Sequence, residues 1–245
     1  MIFSNKKTIF DTLCSKFDCR KKHRNKRSRA KQIRKIEEMK TLFNDTELFT
    51  AGTSGKRDFD LPDADIMLID GFFTKQESDG YYERLLAHTP WREYDMPMYD
   101  KTVTAPRMVS WFQDRDENIP SGDAPELTPD LQNIRKRVEG ETNLEFNAVL
   151  LNLYRNGNDG VSWHSDKINR SGENPVIASV TFGETRMFRL RHKFRKEVPV
   201  VEIPLYHGSF LIMAGKTNSF WEHQVPKTSK PVLPRINLTF RRVVR

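Results

Sequence analysis

From Phe146 to the C-terminus the chain runs in short apolar stretches punctuated by Gly, Asn and Pro, the pattern of successive antiparallel strands. Within Phe146 to Tyr154, Ala148, Leu150, Asn152 and Tyr154 fall on one face and Val149, Leu151 and Leu153 on the other, because neighbouring side chains of a strand point to opposite sides. The final stretch repeats the alternation with more contrast. Arg235, Asn237, Thr239 and Arg241 alternate with Ile236, Leu238 and Phe240, which predicts a strand with one polar, cationic face and one apolar face. Two helices are readable before this β-rich half. Thr74-Lys-Gln-Glu77 is a capping box, and it opens a helix to about His88 with Tyr81, Leu85 and Leu86 on its apolar side. Thr128-Pro129 opens the second, in which Leu131, Ile134 and Val138 recur at helical spacing before Gly140 as terminator. The expectation is a mainly β domain with flanking helices (α+β), its short strands stacked in two sheets as a jelly roll.

Candidate chemistry sits at the strand ends. In Trp163-His164-Ser165-Asp166, the histidine and the aspartate are two residues apart, so on a strand they share a face at a separation of about 7 Å. They can hold adjacent corners of one metal ion. A further ligand from a distant strand, His223, 57 residues beyond Asp166, completes two histidines and one carboxylate. That set leaves three positions open on ferrous iron for a co-substrate and oxygen. A His-x-Asp pair alone is also what a satisfied core histidine beside a surface aspartate looks like, and the company it keeps decides the reading. Two arginines on the inward face of an otherwise apolar final strand need an anion, because an unpaired buried guanidinium is costly. A dicarboxylate such as 2-oxoglutarate meets that need, its carboxylate matching the planar fork of Arg. Asn152 and Tyr154 add an amide and a phenol at the end of one strand face; they either hydrogen-bond the same anion or cap the strand at the turn Arg155-Asn156-Gly157-Asn158-Asp159-Gly160.

Charge adds a second region. The chain holds 41 Lys+Arg against 33 Asp+Glu, but 14 of the basic and only 4 of the acidic residues lie in the first 40, which leaves residues 41–245 with 27 and 29. The excess therefore belongs to an N-terminal extension, residues 1–45, ahead of one enzyme-sized domain over 46–245. The block Arg20-Lys-Lys-His-Arg-Asn-Lys-Arg-Ser-Arg-Ala-Lys31 suits phosphates, a nuclear address or a solvated tail, and the sequence does not choose. Cys14 and Cys19 lie in this extension, their spacing with His23 matches no zinc pattern well, and the domain has no cysteine to form a disulfide. No apolar stretch has membrane-spanning length, and Met1 to Phe10 is too short and polar for a secretory core. The expectation is an intracellular monomer with no membrane partner, nuclear in a eukaryote and cytoplasmic in a bacterium.

Between the helices, residues 91–122 interleave aromatics and cations. Trp91, Tyr94, Met96, Met98 and Tyr99 precede Thr104-Ala-Pro-Arg107, then Ser110-Trp111-Phe112. Such a segment suits a nucleobase and its phosphates. Equally, Trp91, Trp111 and Phe112 can fasten an outer helix to the sheet.

Taken together, Asn152-x-Tyr154, His164-x-Asp166, the run Pro175 to Gly183, the run Phe188 to Lys193, the run Gly208 to Met213, Trp221-x-His223 and Arg235-x-Asn-x-Thr-Phe-Arg241 resemble the AlkB family of Fe(II)- and 2-oxoglutarate-dependent dioxygenases, in order over roughly 63–245. The likeness is greatest to the branch that repairs alkylated bases in DNA. The resemblance implies a double-stranded β-helix, iron on His164, Asp166 and His223, and no catalytic residue beyond that centre. It also implies Arg235 on the distal carboxylate of 2-oxoglutarate, with Asn152, Tyr154, Asn237 and Arg241 completing the pocket. On the substrate side it implies a nucleotide-recognition lid over about 91–122. There Arg107 stands in the family's Pro-Arg pair, and Tyr99 or Met98 lies where duplex-repair members carry a wedge into the base stack; the aromatics Trp111 and Phe112 of the same segment are further candidates for substrate binding. The damaged base must leave the helix to reach the metal.

The implied reaction is oxidative dealkylation of N-alkylated bases such as 1-methyladenine and 3-methylcytosine in DNA. It consumes O2, is coupled to decarboxylation of 2-oxoglutarate to succinate, and releases the alkyl carbon as formaldehyde; RNA, protein or lipid is the alternative substrate. Two departures bear on base choice. Ile168 stands two residues after Asp166, where many members have a carboxylate that contacts the base, and residues 115–122 lack the aromatic that repair members stack on it.

Overall fold

The computed structural model describes residues 49, 55–98, 101–116, 122–166 and 174–244, and for 96–98 and 101 the backbone alone. The basic extension with Cys14 and Cys19, as well as Tyr99 and Ile168, lies outside these residues, as does the side chain of Met98. In chain order the elements are β1 (Gly55–Asp58), β2 (Asp65–Asp70), α1 (Lys75–His88), β3 (Asp95–Met98), β4 (Lys101–Thr104), β5 (Met108–Gln113), α2 (Pro129–Thr142), β6 (Ala148–Tyr154), β7 (Val161–His164), β8 (Ile177–Gly183), β9 (Arg186–His192), β10 (Val201–Leu205), β11 (Phe210–Ala214), α3 (Thr217–Phe220), β12 (Trp221–Val225) and β13 (Arg235–Arg241). No described helix is long and apolar enough to cross a membrane.

Seven strands form a major sheet in the order β1-β2-β11-β8-β13-β6-β5, four form a minor sheet in the order β10-β9-β12-β7, and β3 and β4 make a separate hairpin. The pairings are antiparallel, and the two larger sheets stack as a jelly roll. Between them lies a core of Leu68, Ile177, Leu190, Ile203, Leu211 and Trp221, contributed by both sheets. Alternation explains the layering. In β6, β8 and β13 one set of side chains turns to the minor sheet, and the other set, Val149, Leu151, Val180, Phe182, Ile236, Leu238 and Phe240, is fully buried on the opposite side. Each large apolar side chain so buried contributes about 1.5–3 kcal/mol.

Helix α1 covers that opposite side, touching β8, with the Tyr81 and Phe182 rings 5.6 Å apart. Its capping box forms as read: Thr74 Oγ1 accepts from the Glu77 N–H and the Glu77 carboxylate accepts from the Thr74 N–H. Its buried stripe is Ser78, Tyr82, Leu85 and Leu86, so Tyr82 takes the deep position and Tyr81 stays half-buried, its ring under the Arg84 guanidinium. Arg84 and Asp130 make a bidentate tie to α2.

One local expectation is corrected. Helix α2 runs through Gly140 and ends at Asn143, whose left-handed φ of 54° lets its N–H close back on the Glu139 carbonyl. Asn tolerates this conformation, whereas a glycine inside a helix costs only about 1 kcal/mol and need not stop it. The segment 91–122, expected to hold a nucleotide-recognition lid, includes regular structure among its described residues. It contributes the β3–β4 hairpin and β5, which is an edge strand of the major sheet on β6.

One glycine decides how closely helix α1 approaches the sheet. Gly183 ends β8 at φ +92°, opposite Arg235, and a Cβ there would lie 2.5 Å from the Pro234 carbonyl and 2.7 Å from the Tyr82 ring. Only glycine fits both the conformation and the gap.

Candidate functional site

Antiparallel pairing of β7 with β12 sets His164 directly opposite His223, their ring centroids 4.3 Å apart. Asp166 follows just beyond the end of β7, so the two ligands read as neighbours on one strand face in fact meet across a strand end. Its Oδ2 is 3.8 Å from His223 Nε2, and one ligand atom from each of His164, Asp166 and His223 lies within 4.8 Å of the others. His164 Nδ1 donates to the Ser162 carbonyl at 2.8 Å. A carbonyl can only accept, so the proton sits on Nδ1 and the Nε2 lone pair is free. His223 stacks on Phe188 at 5.2 Å, and its pKa is pushed down to about 4, first by burial and then by the nearby His164, Arg241 and Lys193, against the pull of Asp166. At neutral pH the site therefore offers a neutral imidazole where a ligand must be unprotonated.

The cavity beside these residues is lined by Arg107, Asn152, Tyr154, Ser179, Asn237 and Arg241, with apolar side chains from both sheets between them. Pairing across β6, β13 and β8 aligns them. Asn237 lies opposite Asn152 on one side and Thr181 on the other, and Thr239 opposite Leu150 and Ser179. Arg241 Nη2 is 3.5 Å from Asp166 Oδ1, and its guanidinium lies 5.8 Å from the Trp111 ring.

Arg235 sits deeper than the cavity lining, 1 % exposed. Its Nη2 donates to Thr181 Oγ1 at 2.9 Å and to Asn237 Oδ1 at 2.6 Å, and its guanidinium lies 5.2 Å from the Tyr154 ring. The Asn237 amide also accepts from Ser179 Oγ and donates to Thr239 Oγ1. Burial lowers the Arg235 pKa to about 10, with the Arg186 charge adding to the effect and the Tyr154 hydroxyl opposing it. It remains charged, yet its Nε and Nη1 and the Arg241 Nε have no hydrogen-bond partner among the described residues. Buried cationic donors left open cost several kcal/mol unless an anion meets them.

On the mouth side, Arg107 Nε donates to Asn152 Oδ1 at 2.9 Å and Nη2 to the Tyr94 hydroxyl at 3.0 Å. Trp111 faces the cavity side of β5. Phe112 does not: it stands opposite Val149, 3 % exposed on the helix-covered side of the sheet, because neighbouring strand residues take opposite faces. Its reading as a substrate-binding residue is replaced by a core one. Trp91 donates its indole N–H to the Leu86 carbonyl, at the end of α1.

Several residues at the site were not read from the sequence. Ser179 and Thr181 left a signal, two polar residues at alternate positions of an otherwise apolar strand. Arg186 anchors the turn after β6, donating to the Asp159 and Pro226 carbonyls at 2.9 and 2.6 Å. Asn218, in the short α3, bonds to both backbone polar atoms of Asp166. No periodicity or spacing announces a contact made across 52 residues.

A jelly roll that brings together a His-x-Asp strand end, a distant histidine and inward arginines that keep open donors has the architecture of a mononuclear metal oxygenase. The chain belongs to the 2OG-Fe(II) oxygenase superfamily, whose profile matches residues 65–241, and within it to the AlkB family. That superfamily comprises dioxygenases that use Fe(II), 2-oxoglutarate and O2. Among similar proteins, alpha-ketoglutarate-dependent dioxygenase alkB homolog 3 of Bos taurus is 39 % identical over 188 residues, 73 % of this chain and 66 % of that protein. The match thus spans just under two thirds of that relative's length. The DNA oxidative demethylase ALKBH2 of Homo sapiens is 42 % identical over 122 residues, 47 % of each chain. The solved structure of OsALKBH1 covers 77 % of this chain and 100 % of its own at a TM-score of 0.56 and 17 % identity, which bears on the fold alone. The residues present fit the superfamily's requirements. Two histidines and one carboxylate form the donor set of a ferrous oxygenase, and three open guanidinium donors await a small anion.

Proposed function

We propose that this chain catalyses oxidative dealkylation of N-alkylated nucleobases in DNA, of the 1-methyladenine and 3-methylcytosine kind. The observation that carries the proposal is the convergence of His164, Asp166, His223 and Arg241, with its open Nε, on one cavity, and the open donors of Arg235 buried behind the Tyr154 and Asn237 side chains that line it. Iron bound by the three ligands would supply oxidation of the alkyl carbon at the expense of 2-oxoglutarate and O2. The protein's residues do the rest by placement. Arg235 and Arg241 draw in the dicarboxylate, Asn237 and Thr181 hold the Arg235 fork in plane, and Asn152 and Tyr154 stand on the same face to meet the anion. Leu211, Met213, Val161 and Ile177 keep the cavity wall apolar, which strengthens every charge contact inside it. No side chain need act as nucleophile or base, because the alkyl carbon is oxidised and then leaves as formaldehyde.

A nucleobase is supported as substrate by the mouth, where the Arg107 guanidinium lies 5.6 Å from the Tyr94 ring and the Arg241 guanidinium 5.8 Å from the Trp111 ring, aromatic and guanidinium surfaces beside the candidate metal ligands. DNA is supported by the name of the relative ALKBH2, a DNA oxidative demethylase. In this reading the basic extension, residues 1–45, meets phosphates without choosing bases, since phosphates are alike in every sequence. The test is a panel of methylated DNA and RNA oligonucleotides incubated with Fe(II) and 2-oxoglutarate, scoring succinate, formaldehyde and the restored base together. Coupled release with methylated DNA is expected. Succinate formation with restoration only in RNA would move the substrate class, and no iron-dependent succinate under any condition would end the proposal.

A further inference from the structure

Asp166 stands where the strand ladder that fixes the other two ligands has stopped. His164 and His223 are opposed residues of a paired strand; Asp166 follows the last residue of β7 by two and has no ladder partner. Something else must hold its backbone. The Asn218 side chain does so at two points: its Oδ1 accepts from the Asp166 N–H at 2.8 Å, and its Nδ2 donates to the Asp166 carbonyl at 3.0 Å. One amide thus reproduces what a neighbouring strand residue would give. Next to it, Ser165 Oγ donates to the Trp221 carbonyl at 3.0 Å.

The frame that presents Asn218 is itself fixed. Thr217 Oγ1 donates to the Ala214 carbonyl at 2.6 Å and accepts from the Asp65 N–H at 2.8 Å. Lys193 Nζ donates to the Asn218 carbonyl at 2.8 Å, and the Lys193 N–H donates to the Phe220 carbonyl at 2.8 Å. Helix α3 then runs straight into β12, which carries His223 five residues after Asn218. The amide therefore measures the distance between the segment bearing Asp166 and the segment bearing His223.

A competitor for the carboxylate lies on the other side. Arg241 Nη2 is 3.5 Å from Asp166 Oδ1, and Arg241 Nε is buried without a partner. A carboxylate on a loose backbone closes on a guanidinium bidentately and turns away from the histidines. From this geometry we infer that Asn218 is the positioning residue of the metal centre, holding Asp166 toward His164 and His223 and away from Arg241. The inference rests on the metal reading of these three residues and adds how the third is held.

The experiment measures Co(II) binding to the full-length, metal-free protein by calorimetry, without co-substrate or substrate. Asn218→Ala is expected to weaken Co(II) binding by about 10–100-fold, the usual effect of removing a group that orients a ligand. The melting temperature of the metal-free protein is expected to move by only a few degrees, since two surface-edge hydrogen bonds are lost. Asn218→Ser, too short to reach both backbone atoms, carries the same expectation should the alanine variant not fold. Ser219→Ala is the control. It removes a bond from the same helix to Asn174 and is expected to leave affinity unchanged. Affinity within twofold of the parent in the folded Asn218 variants would overturn the inference while the metal reading stands. An equal loss in Ser219→Ala would overturn it too, because the seating of α3 and not the amide would then be responsible. A parent protein that binds no Co(II) would remove the metal reading and this inference with it.

Discussion

Strand β13 carries two faces on seven residues, and both are largely buried. On one side Ile236, Leu238 and Phe240 are fully buried; on the other Arg235, Asn237 and Thr239 are below a tenth exposed. The difference lies in what burial leaves open. The apolar side chains have no polar atom to satisfy and gain from every square ångström removed from water. The polar side carries an arginine with two donors unmet, an amide committed to its neighbours, and Arg241 with one donor unmet. Burial is therefore not by itself a measure of stability. The same strand stabilises the fold through one face and stores, on the other, an unmet demand for an anion. Selection for folding alone would not keep the second face, because apolar residues of like volume in place of buried charges are often neutral or stabilising.

Function is lost most severely at the proposed metal ligands. His164→Ala, Asp166→Ala and His223→Ala are each expected to reduce turnover at least about 1,000-fold, a loss above 4 kcal/mol of transition-state stabilisation, while the metal-free protein keeps its far-ultraviolet circular dichroism. Turnover near the parent value in any one of them would remove that residue from the ligand set. On the opposite face, Phe240→Ala should do the reverse. It leaves the ligands untouched and costs about 3–5 kcal/mol of stability, read by denaturant unfolding, because a fully buried ring is lost and a cavity is left.

The apolar side also holds a buried histidine, which gives a pH signature. His207 Nδ1 accepts from the Gly183 N–H at 2.8 Å, and its Nε2 donates to Asp79 Oδ1 at 3.1 Å. Burial lowers its pKa to about 4, against the pull of Asp79 and with Lys75 adding slightly to the lowering. The unfolded chain takes a proton on this histidine near pH 6.5 and the folded chain does not, so stability is complete above about pH 6.5 and falls as pH drops toward 4. The loss is on the order of 3 kcal/mol at most. Unfolding midpoints compared between the parent and His207→Gln across that window should show a steeper pH slope in the parent; parallel slopes would mean that His207 titrates alike in both states. On the polar side, Arg235→Met should weaken 2-oxoglutarate binding by about 1.5–3 kcal/mol through loss of a charge-assisted pair. The metal-free protein should melt no lower than the parent, because a buried group with open donors has been replaced by an apolar one. A large loss of stability with unchanged co-substrate affinity would make Arg235 a structural residue.

How much of this was legible in the sequence follows from the range of the forces involved. Alternation along β6 and β13, the capping box at Thr74 and the helical spacing of Leu131, Ile134 and Val138 are set by residues two to four apart, and each is found where the pattern puts it. The family motifs named His164, Asp166 and His223, and the fold brings them within reach of one another. What escaped depends on long-range pairing. The early strands β1 to β5 are short, with polar residues among the apolar ones; β1 pairs with β2 and β3 with β4, while β2 and β5 gain ladders from β11 and β6, far along the chain. Phe112 was misjudged for the same reason, since the face it takes depends on the register of β5 on β6. Tyr81 and Tyr82 are adjacent on a helix, and which of them goes deeper is decided by Gly183 and Phe49 beside Tyr82, not by the helix's own period.

At its edge the polar face is adjusted by Arg107. Arg107 Nε occupies Asn152 Oδ1, which leaves the amide N–H groups of Asn152 as the donors available toward the cavity. Asn152 alone can present either its carbonyl or its amine there, and only the amine suits an anion. The Arg107 bond selects the amine, and the second bond, to the Tyr94 hydroxyl, keeps the guanidinium in place. Arg107→Met should therefore raise the KM for 2-oxoglutarate by about two- to fivefold, the scale of one net hydrogen bond or less, even when turnover is followed without nucleic acid. The KM for a methylated oligonucleotide should rise as well if Arg107 also meets the base, so the co-substrate measurement separates the two roles. Asn152→Ala provides the comparison: once the amide is gone, Arg107→Met has nothing to orient, and the double variant should show no further change in 2-oxoglutarate KM. Additive losses in the double variant would mean that Arg107 acts on the dicarboxylate directly, through its charge, and that the orientation of Asn152 is set by the strand alone.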